Sequence, residues 1–161
     1  MTYNSLVHKI NLKFAKSLCY NGLVIDLGCG TAPYKQIILE TAKEYIGIDW
    51  KNCYHDQSNV DIYADIVVGV PIVNGCADMV VSFQVMEHLR EPDAFLTECN
   101  RILKNGGRLV LSVPFMWHVH EEPYDYFRYT RYGLEYLLGK NNFTDIKINA
   151  TSGFWQMWVL K

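Results

Sequence analysis

Three aspartates and a pair of glycines carry the first chemistry legible in this sequence. Val24-Ile25-Asp26-Leu27-Gly28-Cys29-Gly30-Thr31-Ala32-Pro33 runs from an apolar stretch into a turn. Glycines at 28 and 30 let the backbone come close to a ligand, because no Cβ intervenes. A helix beginning just beyond them would offer free N–H groups to an anionic group. The third position separates two ligand classes. A dinucleotide-binding turn wants glycine where Pro33 stands, so that helix and strand close around a pyrophosphate. Asp26, two positions before Gly28, would repel a pyrophosphate and attract an ammonium group. Asp49 closes the next apolar stretch, where a carboxylate can accept both hydroxyls of a ribose. Asp65, in Ala64-Asp65-Ile66, can accept from an exocyclic amine. An adenosine with an amino-acid tail satisfies all three carboxylates. Taken singly, each aspartate reads as well as a loop cap, and the glycine turn as a tight connection without a ligand.

A second cluster lies near residue 120. Phe115-Met116-Trp117-His118-Val119-His120-Glu121-Glu122-Pro123-Tyr124-Asp125-Tyr126-Phe127-Arg128 concentrates histidine, tyrosine and arginine. His118 or His120, with Asp125, could take a proton from a substrate hydroxyl or amine. Phe115, Glu121, Tyr124, Tyr126 and Arg128 suit a polar, ring-bearing or anionic substrate, and His88 could face the same cleft. The competing reading is a structural lid with hydrogen-bonded histidines. His-Val-His on a strand would put both imidazoles on one face. His118, His120 and a carboxylate could alternatively bind a divalent metal, but no third ligand is fixed by spacing, so no metal is expected.

These groups need a frame to hold them. Tyr3, Leu6, Val7, Ile10, Phe14 and Leu18 recur at helical spacing and predict an amphipathic helix over residues 3–19. Strands are expected at Leu23–Ile25, Glu44–Ile48, Val60–Ala64, Met79–Phe83, Arg108–Val113 and Phe143–Ala150. Helices are expected from Pro33 to about Ala42, from Pro92 to Lys104 with Asn105-Gly106-Gly107 ending it, and from an N-cap at Thr130 to Leu138 with Gly139 past its end. Thr151-Ser152-Gly153 reads as a hairpin turn. Phe154–Leu160 then supplies a seventh strand, or the last strand is missing. Strands alternating with helices predict an α/β fold, a three-layer sandwich around a mostly parallel seven-stranded sheet with a C-terminal antiparallel hairpin. Ligands of such sheets bind at the carboxyl ends of the strands.

Composition agrees with one folded domain over residues 1–161, with residues 1–19 as an N-terminal helix and 20–161 as the core. Half of the 161 residues are hydrophobic, and the net charge is −2, which excludes wholesale disorder. That balance also argues against a nucleic-acid partner. No apolar run approaches the ~20 residues of a membrane span. The N-terminus shows no signal-peptide pattern. Five cysteines without a CxxC spacing suggest neither a disulfide framework nor a zinc site. The expected location is the reducing cytoplasm. The oligomeric state is not legible.

Residues 20–150 resemble the Rossmann-like (class I) S-adenosylmethionine-dependent methyltransferases of the small-molecule, type 11-like branch. The likeness rests on Val24–Thr31, on Tyr45-Ile46-Gly47-Ile48-Asp49, on Met79–Leu89 with its Glu87-His88-Leu89, and on Arg101-Ile102-Leu103-Lys104-Asn105-Gly106-Gly107. The resemblance implies that Asp26, Leu27, Gly28, Cys29 and Gly30 hold the methionine part of S-adenosylmethionine. It implies that Asp49 and Trp50 take the ribose, that Asp65 and Ile66 flank the adenine, and that Phe83 and Gln84 line the sulfonium region. The product would be S-adenosylhomocysteine. Ala32 stands where the family has its third loop glycine. The segment from His120 to Thr130 also resembles a signature of bacterial members associated with glycan or cell-surface metabolism. Methyl transfer to a small molecule is the leading expectation. A cofactor-binding regulatory module without catalysis, and an NAD-dependent oxidoreductase, are the alternatives.

Overall fold

Apolar strands that are buried on both faces need helices on both sides, and the chain supplies them in alternation. The computed structural model describes residues 3–51 and 56–150. In order these form α1 (Tyr3–Lys16), β1 (Leu23–Leu27), α2 (Lys35–Leu39), β2 (Glu44–Asp49), β3 (Ile62–Tyr63), β4 (Ala77–Phe83), a 3-10 turn (Met86–His88), α3 (Pro92–Ile102), β5 (Leu103–Ser112) and α4 (Arg131–Lys140). The sheet is parallel throughout, with order β3-β2-β1-β4-β5.

The two-residue period of β1 divides its side chains between two cores. Val24 packs with Ala15 of α1, Ile38 of α2, and Met79 and Val81 of β4. Ile25 and Leu27 face the other side, against Phe95, Leu96, Cys99 and Ile102 of α3. Phe95 has no exposed surface, and burial of such a ring contributes about 2–3 kcal/mol. Asp26 shares the face of Val24, which turns its carboxylate toward α1 and α2. From β1 the chain proceeds outward to β2 and β3, then returns to the other side of β1 as β4. The crevice at this reversal, past the carboxyl ends of β1 and β4, is where ligands of doubly wound sheets sit.

The irregular stretch expected before β4 is held in place from α3. Glu98 Oε1 accepts from the Val70 N–H at 2.7 Å, and Arg101 donates to the carbonyls of Ile72 (2.8 Å) and Val70 (3.1 Å). Glu98 and Arg101 pair at 2.6 Å.

Several boundaries differ from the sequence expectation. The strand expected at 108 begins at Leu103, and α3 stops at Ile102. Ala77 pairs with Leu103 and Met79 with Arg108, so Lys104–Gly107 form a bulge within the strand rather than a turn before it. Gly106 takes a φ of +76° there, which glycine adopts without strain. α4 runs through Gly139 to Lys140 because Asn141 caps it: the Asn141 amide donates to the Leu137 carbonyl at 2.9 Å and to Asp93 at 2.9 Å. The expected cap at the other end is present, with Thr130 Oγ1 accepting from the Gly133 N–H at 3.0 Å. β3 shrinks to two residues and α2 to five. Residues 143–150 form no strand. The expected hairpin turn Thr151-Ser152-Gly153 and strand Phe154–Leu160 lie outside the described residues, as does Cys53. The described sheet therefore has five strands, not seven.

Candidate functional site

At the switch point the molecule opens into a cavity of about 800 Å³. One end is built by the turn after β1. The N–H groups of Gly28 and Cys29 both donate to the Ile48 carbonyl, at 2.8 and 3.1 Å, which ties the turn to the end of β2. Asp49 completes the tie. Its Oδ2 accepts from the Gly30 N–H at 2.6 Å and its Oδ1 from the Trp50 N–H at 2.7 Å. A Cβ on Gly28 would stand 2.5 Å from a Val85 methyl, so the turn is packed on its inner side. A Cβ on Gly30 would meet nothing within 4 Å, so the turn is open on the cavity side.

Asp26 is 2% exposed and lines this cavity. Burial pushes its carboxyl up to about 7, against the opposing hydrogen bond that Tyr45 Oη donates at 2.8 Å; Asp49 adds a smaller upward push. A buried carboxylate beside a second one calls for a cationic ligand. The sign of the resulting pH effect follows. The carboxyl titrates near 7 when folded and near 3.8 when unfolded, so its contribution to stability is fully present below pH 4 and is lost as pH rises toward 7. We expect urea denaturation of the ligand-free protein to show stability falling across that window. Asp26→Asn should flatten the slope. An unchanged slope in the variant would assign the effect elsewhere.

At the other end the 3-10 turn after β4 meets the segment around residue 120. His88 Nδ1 lies 2.5 Å from the Tyr124 carbonyl, and Arg90 Nε donates to Tyr126 Oη at 2.8 Å. The Glu87 carbonyl accepts from the N–H groups of Tyr126 and Phe127, and Tyr129 Oη donates to the Met86 carbonyl at 3.0 Å. Asp125 Oδ2 accepts from the His120 N–H at 2.8 Å and stands 3.2 Å from His120 Nδ1. Arg128 clamps both Asp125 oxygens at 2.6 and 2.7 Å. That guanidinium holds the Asp125 carboxyl well below the usual range. Burial lowers the His120 pKa against the opposing pull of Asp125, so the imidazole is neutral at pH 7.

Most of the expected residues meet here. Asp26, Gly28, Cys29, Gly30, Asp49, Trp50, Asp65, Ile66, Phe83 and Gln84 line the cavity, as do His88, His120, Glu121, Tyr124 and Tyr126. Asp65 is exposed and also caps its own turn, with Oδ1 accepting from the Val67 N–H at 3.0 Å. Five do not line it. Leu27 is fully buried in the α3-side core. Phe115 and His118 are exposed outside the cavity. Asp125 and Arg128 stand behind His120. Residues 117–120 are not a strand, so the two imidazoles do not share a face: His120 turns inward and His118 outward.

The sequence reading missed three contributors. His8 and Asn11 of α1 line the cavity, the His8 ring stacked at 5.9 Å on Tyr34. Their signal was two polar residues three apart on a helix. Glu87 is wholly buried, and neither carboxylate oxygen has a hydrogen-bond partner. Burial pushes its carboxyl up to about 8, opposed by its own backbone N–H and then by Arg128.

Known proteins resemble this chain in sequence and in fold. A family model described as a methyltransferase domain matches residues 25–111. A Mycolicibacterium smegmatis protein named "Probable S-adenosylmethionine-dependent methyltransferase" is 30% identical over 119 residues, covering 71% of this chain and 43% of that protein. A ubiquinone biosynthesis O-methyltransferase of Cereibacter sphaeroides is 30% identical over 105 residues, covering 59% of this chain and 42% of that one. The chain spans about two fifths of the length of these curated relatives. Among solved structures, the YcgJ protein of Bacillus subtilis superposes with a TM-score of 0.66 at 16% identity, over 83% of this chain and 67% of its own. Haemonchus contortus phosphoethanolamine N-methyltransferase 2, in complex with S-adenosyl-L-methionine, gives 0.64 at 18% identity, over 89% and 37%.

Proposed function

Because this chain belongs to the methyltransferase domain family, as a Rossmann-like S-adenosylmethionine-dependent member, we propose that it moves a methyl group to a small-molecule acceptor of glycan or cell-surface metabolism. One observation carries this reading. A single cavity has a carboxylate-and-glycine end, built by Asp26, Gly30 and Asp49, and an imidazole-and-phenol end, built by His88, His120, Tyr124 and Tyr126.

The residues present fit the family's cofactor. Asp26 offers a buried carboxylate to a cationic amine. Gly30 leaves the space that a Cβ would fill. Asp49 keeps lone pairs for ribose hydroxyls beyond the N–H groups it already accepts, and Ile66 gives an adenine an apolar wall. When bound, S-adenosylmethionine supplies an electrophilic methyl on a good leaving group, so the protein's work is positioning and exclusion of water. Phe83 is buried at the boundary between the two ends, in edge contact with Tyr34 at 4.8 Å. Gln84 is held there by the Ser112 hydroxyl, which its amide reaches at 3.2 Å. At the acceptor end, His120 is oriented by Asp125 and presents a neutral imidazole to an incoming hydroxyl. Tyr124 and Tyr126 offer ring faces and hydroxyls suited to a sugar or another polar ring.

We read residues 1–161 as one catalytic domain working in the cytoplasm. Among the described residues no helix is long and apolar enough to cross a membrane, and Cys19, Cys29, Cys76 and Cys99 are free thiols. Calorimetric titration with S-adenosylmethionine and S-adenosylhomocysteine tests the reading. One-to-one binding of both is expected, and absence of heat at millimolar ligand would overturn it. An acceptor screen that shows binding without turnover would point instead to a regulatory module. Enhanced NADH fluorescence would point to an oxidoreductase.

A further inference from the structure

We propose that Glu87, His88 and His120 hold a divalent transition-metal cation at the acceptor end of the cavity, where it takes an oxygen of the acceptor. Binding of the ion stands on the geometry alone; its role toward the acceptor rests on the methyl-transfer reading above.

The three side chains come from two places, the 3-10 turn after β4 and the segment around residue 120. They bring one ligand atom each to within 4.8 Å of one another. His88 Nε2 is 3.9 Å from Glu87 Oε1, and the two imidazole rings meet edge to face at 4.8 Å. Ligand atoms on one small ion stand closer than this, so small side-chain rotations would close the set.

The wiring behind the ligands is that of a metal site. Histidine ligands usually have their second ring nitrogen held by a carbonyl or carboxylate, which fixes the tautomer and aims the other nitrogen. His88 shows it, and His120 has a carboxylate beside its Nδ1. His88 Nδ1 must carry a proton, because it lies 2.5 Å from the Tyr124 carbonyl, so in the neutral ring the lone pair falls on Nε2, which stands 3.9 Å from Glu87 Oε1 and 3.8 Å from Glu121 Oε2. His120 Nδ1 stands 3.2 Å from Asp125 Oδ2 and 3.4 Å from Arg128 Nη2, while the hydrogen bond Asp125 accepts from His120 comes from its backbone N–H at 2.8 Å.

Glu87 is the independent sign of a missing partner. It has no exposed surface, yet neither oxygen accepts or donates a hydrogen bond. Buried polar atoms are almost always satisfied, and binding of an ion is one of the few explanations for an exception. His88 and His120 line the cavity while Glu87 sits behind them, so an ion here keeps open positions on the cavity side.

Two imidazoles and one carboxylate with open positions suit a first-row ion such as zinc, cobalt or iron(II). Such an ion lowers the pKa of a bound hydroxyl. The proton then leaves to solvent, and the ion stabilises the oxygen that goes on to take the methyl. The imidazoles thus act on the acceptor through the ion rather than by taking the proton themselves.

Chelator-treated protein titrated with Co²⁺, followed by its visible absorption, tests the site. One ion per chain is expected, with bands from nitrogen and oxygen ligands and displacement by Zn²⁺. His120→Ala and Glu87→Gln should each weaken binding tenfold or more, and Asp125→Asn should weaken it less. Glu87 is buried, so its variant is judged only if its circular dichroism matches wild type; His120→Ala decides otherwise. No stoichiometric binding, or equal binding by His120→Ala, overturns the site. S-Adenosylhomocysteine binding is measured on the same samples. Cofactor without cobalt leaves the methyl-transfer reading standing and removes the metal; cobalt without cofactor does the reverse.

Discussion

Gly28→Ala is expected to lose about 2–5 kcal/mol of stability, whereas Gly30→Ala is expected to fold and lose its cofactor. The two glycines are two residues apart and both have positive φ, +77° and +55°. A side chain in that region costs roughly 1–2 kcal/mol in either place. What separates them is the space around the missing Cβ. At position 28 the new methyl would stand 2.5 and 2.7 Å from the two Val85 methyls. Overpacking of this kind costs about 1–3 kcal/mol more. At position 30 the methyl meets no protein atom within 4 Å and points into open space at the cavity wall, where it would displace ligand. Urea denaturation of both variants, with calorimetric titration of S-adenosylhomocysteine, separates the effects. Val85→Ala should restore part of the stability lost at position 28 and do nothing for binding at position 30. Wild-type affinity in Gly30→Ala would show that the ligand does not pass this turn.

The difference between these glycines marks the limit of the sequence. Asp26, Gly28, Gly30 and Asp49 could be found because they lie within a few residues of strand ends whose apolar pattern is plain, and a βα turn has few solutions. The partner that makes Gly28 obligatory is Val85, 57 positions away by the residue numbers, and nothing local records it. Glu87 was hidden for the same reason. It is visible in the sequence only as part of Glu87-His88-Leu89, and its enclosure depends on the segment after β5 folding over it. The end of α4 was misjudged because Gly139 is a good stop signal in isolation. Asn141 overrides it through bonds to Asp93 and Leu137, and through its carbonyl, which accepts from Asn100 at 2.9 Å. The glycines at 106 and 107 likewise looked like an end, yet the pairing of Ala77 with Leu103 recruits them as a bulge. Local chemistry was legible, and contacts between distant segments were not.

The largest effect on the acceptor end is expected from Arg128→Met. Arg128 does not line the cavity, but its Nη2 stands 3.4 Å from His120 Nδ1 and it holds the segment that supplies His120. Its Nε donates to the Trp117 carbonyl at 3.0 Å and Nη2 to the His118 carbonyl at 2.8 Å, while the fork grips Asp125. The Asp125 side chain is 2% exposed. Removing its cation leaves a buried charge, a change that costs about 3 kcal/mol or more. The segment can escape that cost by opening, so the loss should appear locally. Hydrogen exchange over residues 117–128 should accelerate at least tenfold, and the acceptor KM should rise, while S-adenosylhomocysteine affinity stays within about twofold. The pH dependence carries a sign. Because the pair depresses the Asp125 pKa, its stabilisation is present above about pH 4 and is lost as pH falls through the folded value. Wild type and variant should therefore converge in exchange rate as the pH is taken below 4. Adding Asp125→Asn to the variant should recover part of the protection, since the uncompensated charge goes with it. Unchanged exchange in Arg128→Met would mean that the tyrosine and carbonyl contacts to the 3-10 turn hold the segment alone. His120 would then owe its position to Tyr124, Tyr126 and Tyr129 rather than to the buried ion pair.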